Sequence, residues 1–117
     1  MNKLYYLATC STCNRIIKDL ELDKHLELQD IKTDKITSSQ IEEMAKMAGS
    51  YEALFSRKAM KYKSMGLKDK VLSEADYKKL ILEEYTFLKR PVALLNGEIF
   101  IGNSKRNVES LREALTK

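Results

Sequence analysis

The apolar run Leu4-Tyr5-Tyr6-Leu7-Ala8 leads through Thr9 into Cys10-Ser11-Thr12-Cys13, after which the chain takes up a helical period. The run predicts a buried strand over about Lys3 to Ala8. Cys13, Ile16, Ile17 and Leu20 then recur at i, i+3, i+4 and i+7, which predicts an amphipathic helix from about Ser11 to Leu22. Leu26-Glu27-Leu28 alternates and predicts a second strand ending near Ile31. A helix that crosses over between two strands of one sheet returns the chain parallel to its start. The first quarter of the sequence is therefore constrained to a β-α-β unit, with a cysteine pair at the strand-to-helix turn.

The middle of the chain is helical. Thr37-Ser38-Ser39-Gln40 offers a capping box between Thr37 and Gln40. Ile41, Met44, Ala45 and Ala48 supply an apolar face, and Gly49 is a helix stop. A shorter helix is expected from about Ala59 to Met65, closed by Gly66. Another follows Ser73, with Tyr77, Leu80 and Ile81 on one side. No Pro/Ser/Gly-rich linker sets this region apart, so it reads as a helical insertion, approximately residues 36–85, in a single domain spanning 1–117.

The last third changes period. Val92 to Leu95 is apolar, Asn96-Gly97 is a tight-turn signal, and Glu98 to Ile101 completes a β-hairpin. Ser104 can cap a final helix in which Val108, Leu111 and Leu115 share a face. The order β-α-β, helical insertion, β-β-α is the thioredoxin arrangement, an α/β fold with a mixed four-stranded sheet covered by helices. The single proline, Pro91, stands just before the third strand, where it removes a ladder donor. In that fold it faces the Cys10 turn, and the Arg90–Pro91 bond is a candidate for the cis form.

Cys10 and Cys13 are the only cysteines of 117 residues. At this spacing the two thiols can reach each other. Cys10 lies where the helix dipole and free backbone N–H groups favour a thiolate. Zinc binding needs four Cys/His ligands, or three plus water. The chain offers one histidine, His25, and no second cysteine pair, so no metal site is expected. Cys13 also reads as an ordinary core cysteine on its helical face. Cys10, in a polar turn between Thr9 and Ser11, does not. That asymmetry suits an exposed attacking Cys10 and a shielded resolving Cys13.

Composition limits the remaining classes. A chain with 44% hydrophobic and 32% charged residues suits one globular core. No apolar run reaches membrane-spanning length, and the N-terminus lacks the apolar segment and cleavage site of a secretory signal. With redox-spaced cysteines this points to the cytoplasm. A net charge of +4 is too mild to call for nucleic acid. The charge is uneven, however. Arg57 to Lys70 holds Arg57, Lys58, Lys61, Lys63, Lys68 and Lys70 against Asp69 alone. Such a run is ordinarily a solvated helix face, and the sharper reading is a surface for an oxyanion or an acidic protein.

Three separated motifs resemble one known family. They are the opening Tyr-x-x-x-x-Cys-Ser-Thr-Cys, the central Leu54-Phe55-Ser56-Arg57-Lys58, and Leu88-Lys89-Arg90-Pro91-Val92 with its hairpin and Ile101-Gly102. Together they resemble the arsenate reductase (ArsC)/Spx family, a glutaredoxin-related branch of the thioredoxin-like fold, over essentially the whole chain. The resemblance implies that Cys10 attacks an oxyanion such as arsenate, that Arg57 and Arg90 hold the oxyanion and stabilise the thiolate, and that Pro91 is cis. Thr9, Ser11, Thr12 and Pro91 line the substrate position on this reading. A bidentate guanidinium suits a tetrahedral oxyanion, although most arginines form surface ion pairs. Two features depart from the arsenate reductases. A third arginine falls at Gly102, and Cys13 supplies a resolving thiol that single-cysteine members borrow from glutathione and glutaredoxin. Asn14 also stands where a basic residue often follows the site, with Arg15 beside it.

Two functions are therefore in play. One is a thiol-disulfide oxidoreductase that needs no bound cofactor and is recycled by an external donor such as glutathione/glutaredoxin or thioredoxin. The other is an Spx-type regulator, in which the same disulfide is a switch and the output is contact with RNA polymerase near Gly49-Ser50. Neither calls for a membrane or for direct nucleic-acid contact.

Overall fold

The computed structural model describes residues 2–116 of the chain. They form two compact units, Met1–Lys35 with Arg90–Lys117, and Ile36–Lys89. The first contains strand β1 (Lys3–Tyr6), helix α1 (Ser11–Leu20), strand β2 (Glu27–Asp30), strands β3 (Val92–Leu95) and β4 (Glu98–Ile101), and the last helix, α5 (Lys105–Leu115). The second contains α2 (Ser38–Ala48), α3 (Met60–Ser64) and α4 (Glu74–Glu83).

The sheet runs β2-β1-β3-β4. β1 pairs parallel with β2, and antiparallel with β3, where Leu4 stands opposite Ala93 and Tyr5 opposite Val92. β3 and β4 form the hairpin, turned by Asn96 at φ 51° and Gly97 at φ 82°. Two consecutive positive φ angles explain Asn-Gly here, since both residues enter the left-handed region at low cost. All four residues of β3 are buried, the continuous apolar pattern of a strand covered on both faces.

One sheet face, with Leu4, Ala93, Leu95 and Phe100, packs with Ile16 and Leu20 of α1 and Leu111 of α5, joined by Leu22 and Leu26. The helical period of α1 thus becomes core, and the strand-helix turn is fastened from below. Several element ends differ from the sequence expectation. β1 stops at Tyr6 because the Leu7 carbonyl accepts from Cys10 N–H at 3.0 Å, which starts the turn. α1 stops at Leu20 because Glu21 adopts φ 52°, ψ 44° and its N–H closes on the Ile17 and Lys18 carbonyls. Leu22–Lys24 is a separate 3-10 turn. α3 is one residue shorter at each end than its sequence suggests.

The second unit is built from capped helices around an aromatic centre. Thr37 and Gln40 form the expected capping box, and Gly49 ends α2 at φ 97°. Ser73 forms a second box with Asp76. Phe55 stacks on Phe87 at 5.0 Å and meets Tyr77 at 4.9 Å and Tyr62 at 6.0 Å, all centroid distances. Backbone bonds from Ser56 N–H to Phe87 O (2.6 Å) and Lys89 N–H to Leu54 O (2.8 Å) hold the two aromatic-bearing segments together.

Candidate functional site

The turn before α1 is fixed at several points. Cys10 N–H donates to Leu7 O, the side chain of Asn14 donates to Ala8 O at 2.8 Å, and Ala8 N–H reaches Asp30 Oδ1 at 3.5 Å. Asn14 and Asp30 are positioning residues that the cysteine spacing did not reveal. The available signal was an amide one turn into the helix and a carboxylate at the end of the neighbouring parallel strand. Cys10 itself is the N-cap of α1, with φ −91° and ψ 110°. Its Sγ accepts from Cys13 N–H at 3.5 Å, so a sulfur occupies the place that a Ser or Asp oxygen takes in most caps.

Both cysteines are free thiols, Cys10 half-buried and Cys13 buried. Their acidities are driven apart. Burial pushes the Cys10 pKa up, but hydrogen bonds from the Cys13 backbone and side chain, another from the Thr12 N–H, and the charge of Arg90 together bring it below the ordinary thiol value. Burial also pushes Cys13 up, and the hydrogen bond and negative charge of Cys10 add to it, so Cys13 is raised to about 11 even with a Leu7 backbone hydrogen bond and the Arg90 charge opposing. The two thiols, one helical turn apart, are thus shifted in opposite directions from the ordinary thiol value.

Arg90 and Pro91, joined by a cis peptide bond, stand immediately before β3, whose first residue Val92 pairs antiparallel with Tyr5 near the end of β1. The segment is tied to the end of β4 by Gly102 N–H, which donates to Pro91 O at 2.8 Å. Asn107 Nδ2 in turn donates to Gly102 O at 2.7 Å. Gly102 sits at φ 90° with open space where a Cβ would stand. Thr9 and Ser11 are exposed beside Cys10, and Thr12 is half-buried.

Cys10, Cys13, Arg90 and Pro91 thus belong to the first unit, with Thr9, Ser11 and Thr12. Arg57 belongs to the second. Its guanidinium is bonded to Glu52 at 2.8 Å and to the Tyr77 hydroxyl at 3.0 Å, and stands 5.7 Å from the Tyr77 ring centroid. The Glu52 hydrogen bond raises its pKa. An open groove of about 250 Å³ between α1 and α5 is lined by Arg15, Asp19, Lys105 and Glu109 among others, and by neither thiol. Among the described residues no group of three or more His, Cys, Asp or Glu is placed to hold a metal ion. No helix among them is long and apolar enough to cross a membrane.

Comparison with known proteins agrees with the fold. The ArsC family model matches residues 5–111. An arsenate reductase from Vibrio cholerae superposes with a TM-score of 0.77 at 19% identity, covering 97% of this chain and 96% of that one. A possible arsenate reductase from Streptococcus mutans gives 0.72 at 28% identity, covering 95% and 97%. An arsenate reductase-related protein from Brucella melitensis gives 0.70 at 20%, covering 93% and 92%. Among curated proteins no sequence matches significantly. The fold is the thioredoxin-like fold of these neighbours.

Proposed function

The chain belongs to the ArsC family, and on that premise we propose that it is a thiol-disulfide redox protein with Cys10 as nucleophile and Cys13 as resolving thiol. The observation that carries the reading is the placement of two thiols three residues apart, Cys10 as the part-exposed N-cap whose Sγ accepts from Cys13 N–H and Cys13 fully buried behind it, with the Cys10 pKa lowered and the Cys13 pKa raised accordingly. A nucleophile must be a thiolate at working pH, while a resolving thiol gains from staying protonated until it is needed.

The geometry suits the order of events. A Cys10 thiolate attacks an oxidised centre, either a disulfide sulfur, whose partner sulfur departs as thiolate, or the As(V) of arsenate, from which a protonated oxygen departs as water. Once Cys10 carries a covalent bond it is no longer an anion. Two of the influences that hold Cys13 protonated, the charge and the hydrogen-bond acceptance of Cys10, then fall away. Cys13 releases its proton and attacks the Cys10 sulfur. The bonding pair leaves with the substrate, as thiolate or As(III), and two thiols have become one disulfide. An external thiol donor such as glutathione/glutaredoxin or thioredoxin, in the cytoplasm, restores the dithiol.

Arg90 supports the reading through its charge beside both sulfurs. The backbone N–H groups at the start of α1, which already bond the Cys10 sulfur, favour an anion at this position. Arg57 is assigned to the oxyanion on the family resemblance. To serve it, the guanidinium would share or exchange its bonds to Glu52 and Tyr77. With Gly102 in place of a third arginine, arsenate turnover is expected to be weak. A missing charge-assisted contact typically costs about 1.5–3 kcal/mol. The regulator reading rests on the Spx resemblance alone, because the φ of Gly49 is accounted for by its closing α2.

The test is arsenate-dependent and model-disulfide-dependent NADPH oxidation, coupled separately to glutathione/glutaredoxin and to thioredoxin with its reductase. Turnover lost in Cys10→Ser, with a Cys10–Cys13 disulfide on mild oxidation of the parent, is the expected result. No turnover with either donor, together with co-purification of RNA polymerase, would replace the enzyme with the switch.

A further inference from the structure

The segment 57–71 carries six cations and one acid, a net +5, against +4 for the whole chain, so the rest of the molecule nets −1. The same segment holds Met60 (89% exposed), Met65 (44%) and Val71 (100%), the three large apolar side chains that are exposed among the described residues. Basic charge and exposed apolar surface are thus concentrated in one short stretch of the second unit.

This stretch is not a loose tail. α3 is followed by a 3-10 turn at Leu67–Asp69, and the two pack on each other. Backbone bonds Met65 N–H to Lys61 O, Gly66 N–H to Lys63 O and Lys70 N–H to Leu67 O close it at 2.9–3.1 Å. Its inward anchors are Leu67, 3% exposed, and Tyr62, whose ring meets Phe55. Met60, Met65 and Val71 are therefore not needed to hold it down. Two of its cations are engaged within the fold, Arg57 with Glu52 and Lys61 with Glu84 at 3.7 Å. Lys58, Lys63, Lys68 and Lys70 are exposed, and no ion pair is recorded for them among the described residues.

We propose that residues 57–71 are a docking surface for a protein partner that presents acidic side chains around apolar ones. Charge complementarity selects the acidic partner and steers its approach. Exposed methionines, flexible and polarisable, supply adaptable apolar contact. Because the backbone is already folded, little ordering cost accompanies docking. A second copy of this chain is disfavoured, since two +5 faces would meet. Duplex nucleic acid would use the lysines but not Met60 or Val71. A membrane surface is poorly served by a helix of only five residues. The surface does not depend on Cys10, so the redox reading and this one stand or fall separately.

The experiment titrates the full chain against a fluorescein-labelled helical peptide of Leu and Glu, a matched peptide with every Leu changed to Ser, vesicles of phosphatidylglycerol and phosphatidylcholine, and a DNA duplex. The Leu/Glu peptide should bind best, and binding should weaken with salt. Met60→Ser with Val71→Ser should weaken it by about tenfold or more, the scale of losing one or two buried apolar side chains. Reversal of the four free lysines to Glu should abolish binding, and their change to Arg should preserve it. Cys10→Ser should bind like the parent. The variants alter exposed side chains only, and thermal melts verify their folding. Equal binding of the Leu-free peptide, tighter binding of vesicles or duplex, or no binding of the Leu/Glu peptide would each overturn the proposal. If the Glu variant fails to fold, the serine and arginine variants still decide it.

Discussion

At Cys10 one sulfur both ends a helix and serves as the acidic thiol. The cap role predicts a separation of stability from chemistry. Cys10→Ser places a favoured cap oxygen where Sγ accepts from Cys13 N–H, so denaturant unfolding should show stability within about 0.5 kcal/mol of the parent while thiol reactivity at that position disappears. Cys10→Ala removes the acceptor and should cost about 1 kcal/mol. Equal stabilities of the two variants would show that the sulfur contributes nothing as a cap. Arg90 offers a second residue-scale test. Its charge lowers both thiols, so Arg90→Ala should move the Cys10 titration upward and slow its alkylation near neutral pH. Iodoacetamide rates against pH in a Cys13→Ser background give the reading. An unchanged titration with a large drop in melting temperature would assign Arg90 to structure instead.

Among the elements, the β4-to-α5 connection sets a limit on re-engineering the site. At Gly102, the position to which the family resemblance assigns a missing third arginine, there is room for a side chain. The obstacle is the backbone, since φ 90° is strained for any residue with a Cβ. Gly102→Arg should therefore cost about 1–3 kcal/mol, lowering the melting temperature by several degrees. Its N–H bond to Pro91 O and the bond its carbonyl accepts from the Asn107 side chain use only the residue-102 backbone and can persist. A gain in arsenate turnover with no loss of stability would show that the connection relaxes at no cost. Elsewhere the elements follow local chemistry closely. Thr37, Ser73 and Ser104 all cap the helices they precede, because capping needs only residues within one turn.

For the whole molecule, the raised Cys13 pKa makes stability depend on alkaline pH. In the unfolded chain the thiol ionises near 9.0; in the fold it keeps its proton to about 11. Between these values the unfolded state has lost a proton that the folded state retains, so rising pH favours unfolding. The contribution is complete below about pH 9 and is lost through pH 11. At about 1.4 kcal/mol per unit, it approaches 2–3 kcal/mol. Cys10 works in the opposite sense, since its lowered pKa adds stability as pH rises toward 9.0. Denaturation midpoints of parent and Cys13→Ala, compared from pH 8 to 11, should converge as pH rises. Parallel curves would mean that the fold does not hold the Cys13 proton.

Element order, the parallel β1–β2 pair, the hairpin at Asn96-Gly97, the caps and the Cys10/Cys13 pair at the strand-to-helix turn were all legible from the residues alone. Each rests on periodicity or on chemistry within a few residues. Which groups surround those thiols became visible only in the folded chain. Asn14, Asp30 and the Asn107–Gly102–Pro91 chain act on the site through contacts that spacing does not encode. The same holds for the commitment of Arg57 to Glu52 and Tyr77, and for the outward placement of Met60 and Val71. The acidity of a thiol depends on burial and on charges brought near by folding. Two cysteines identical in the sequence therefore become different acids only once the sheet and helix have enclosed one of them.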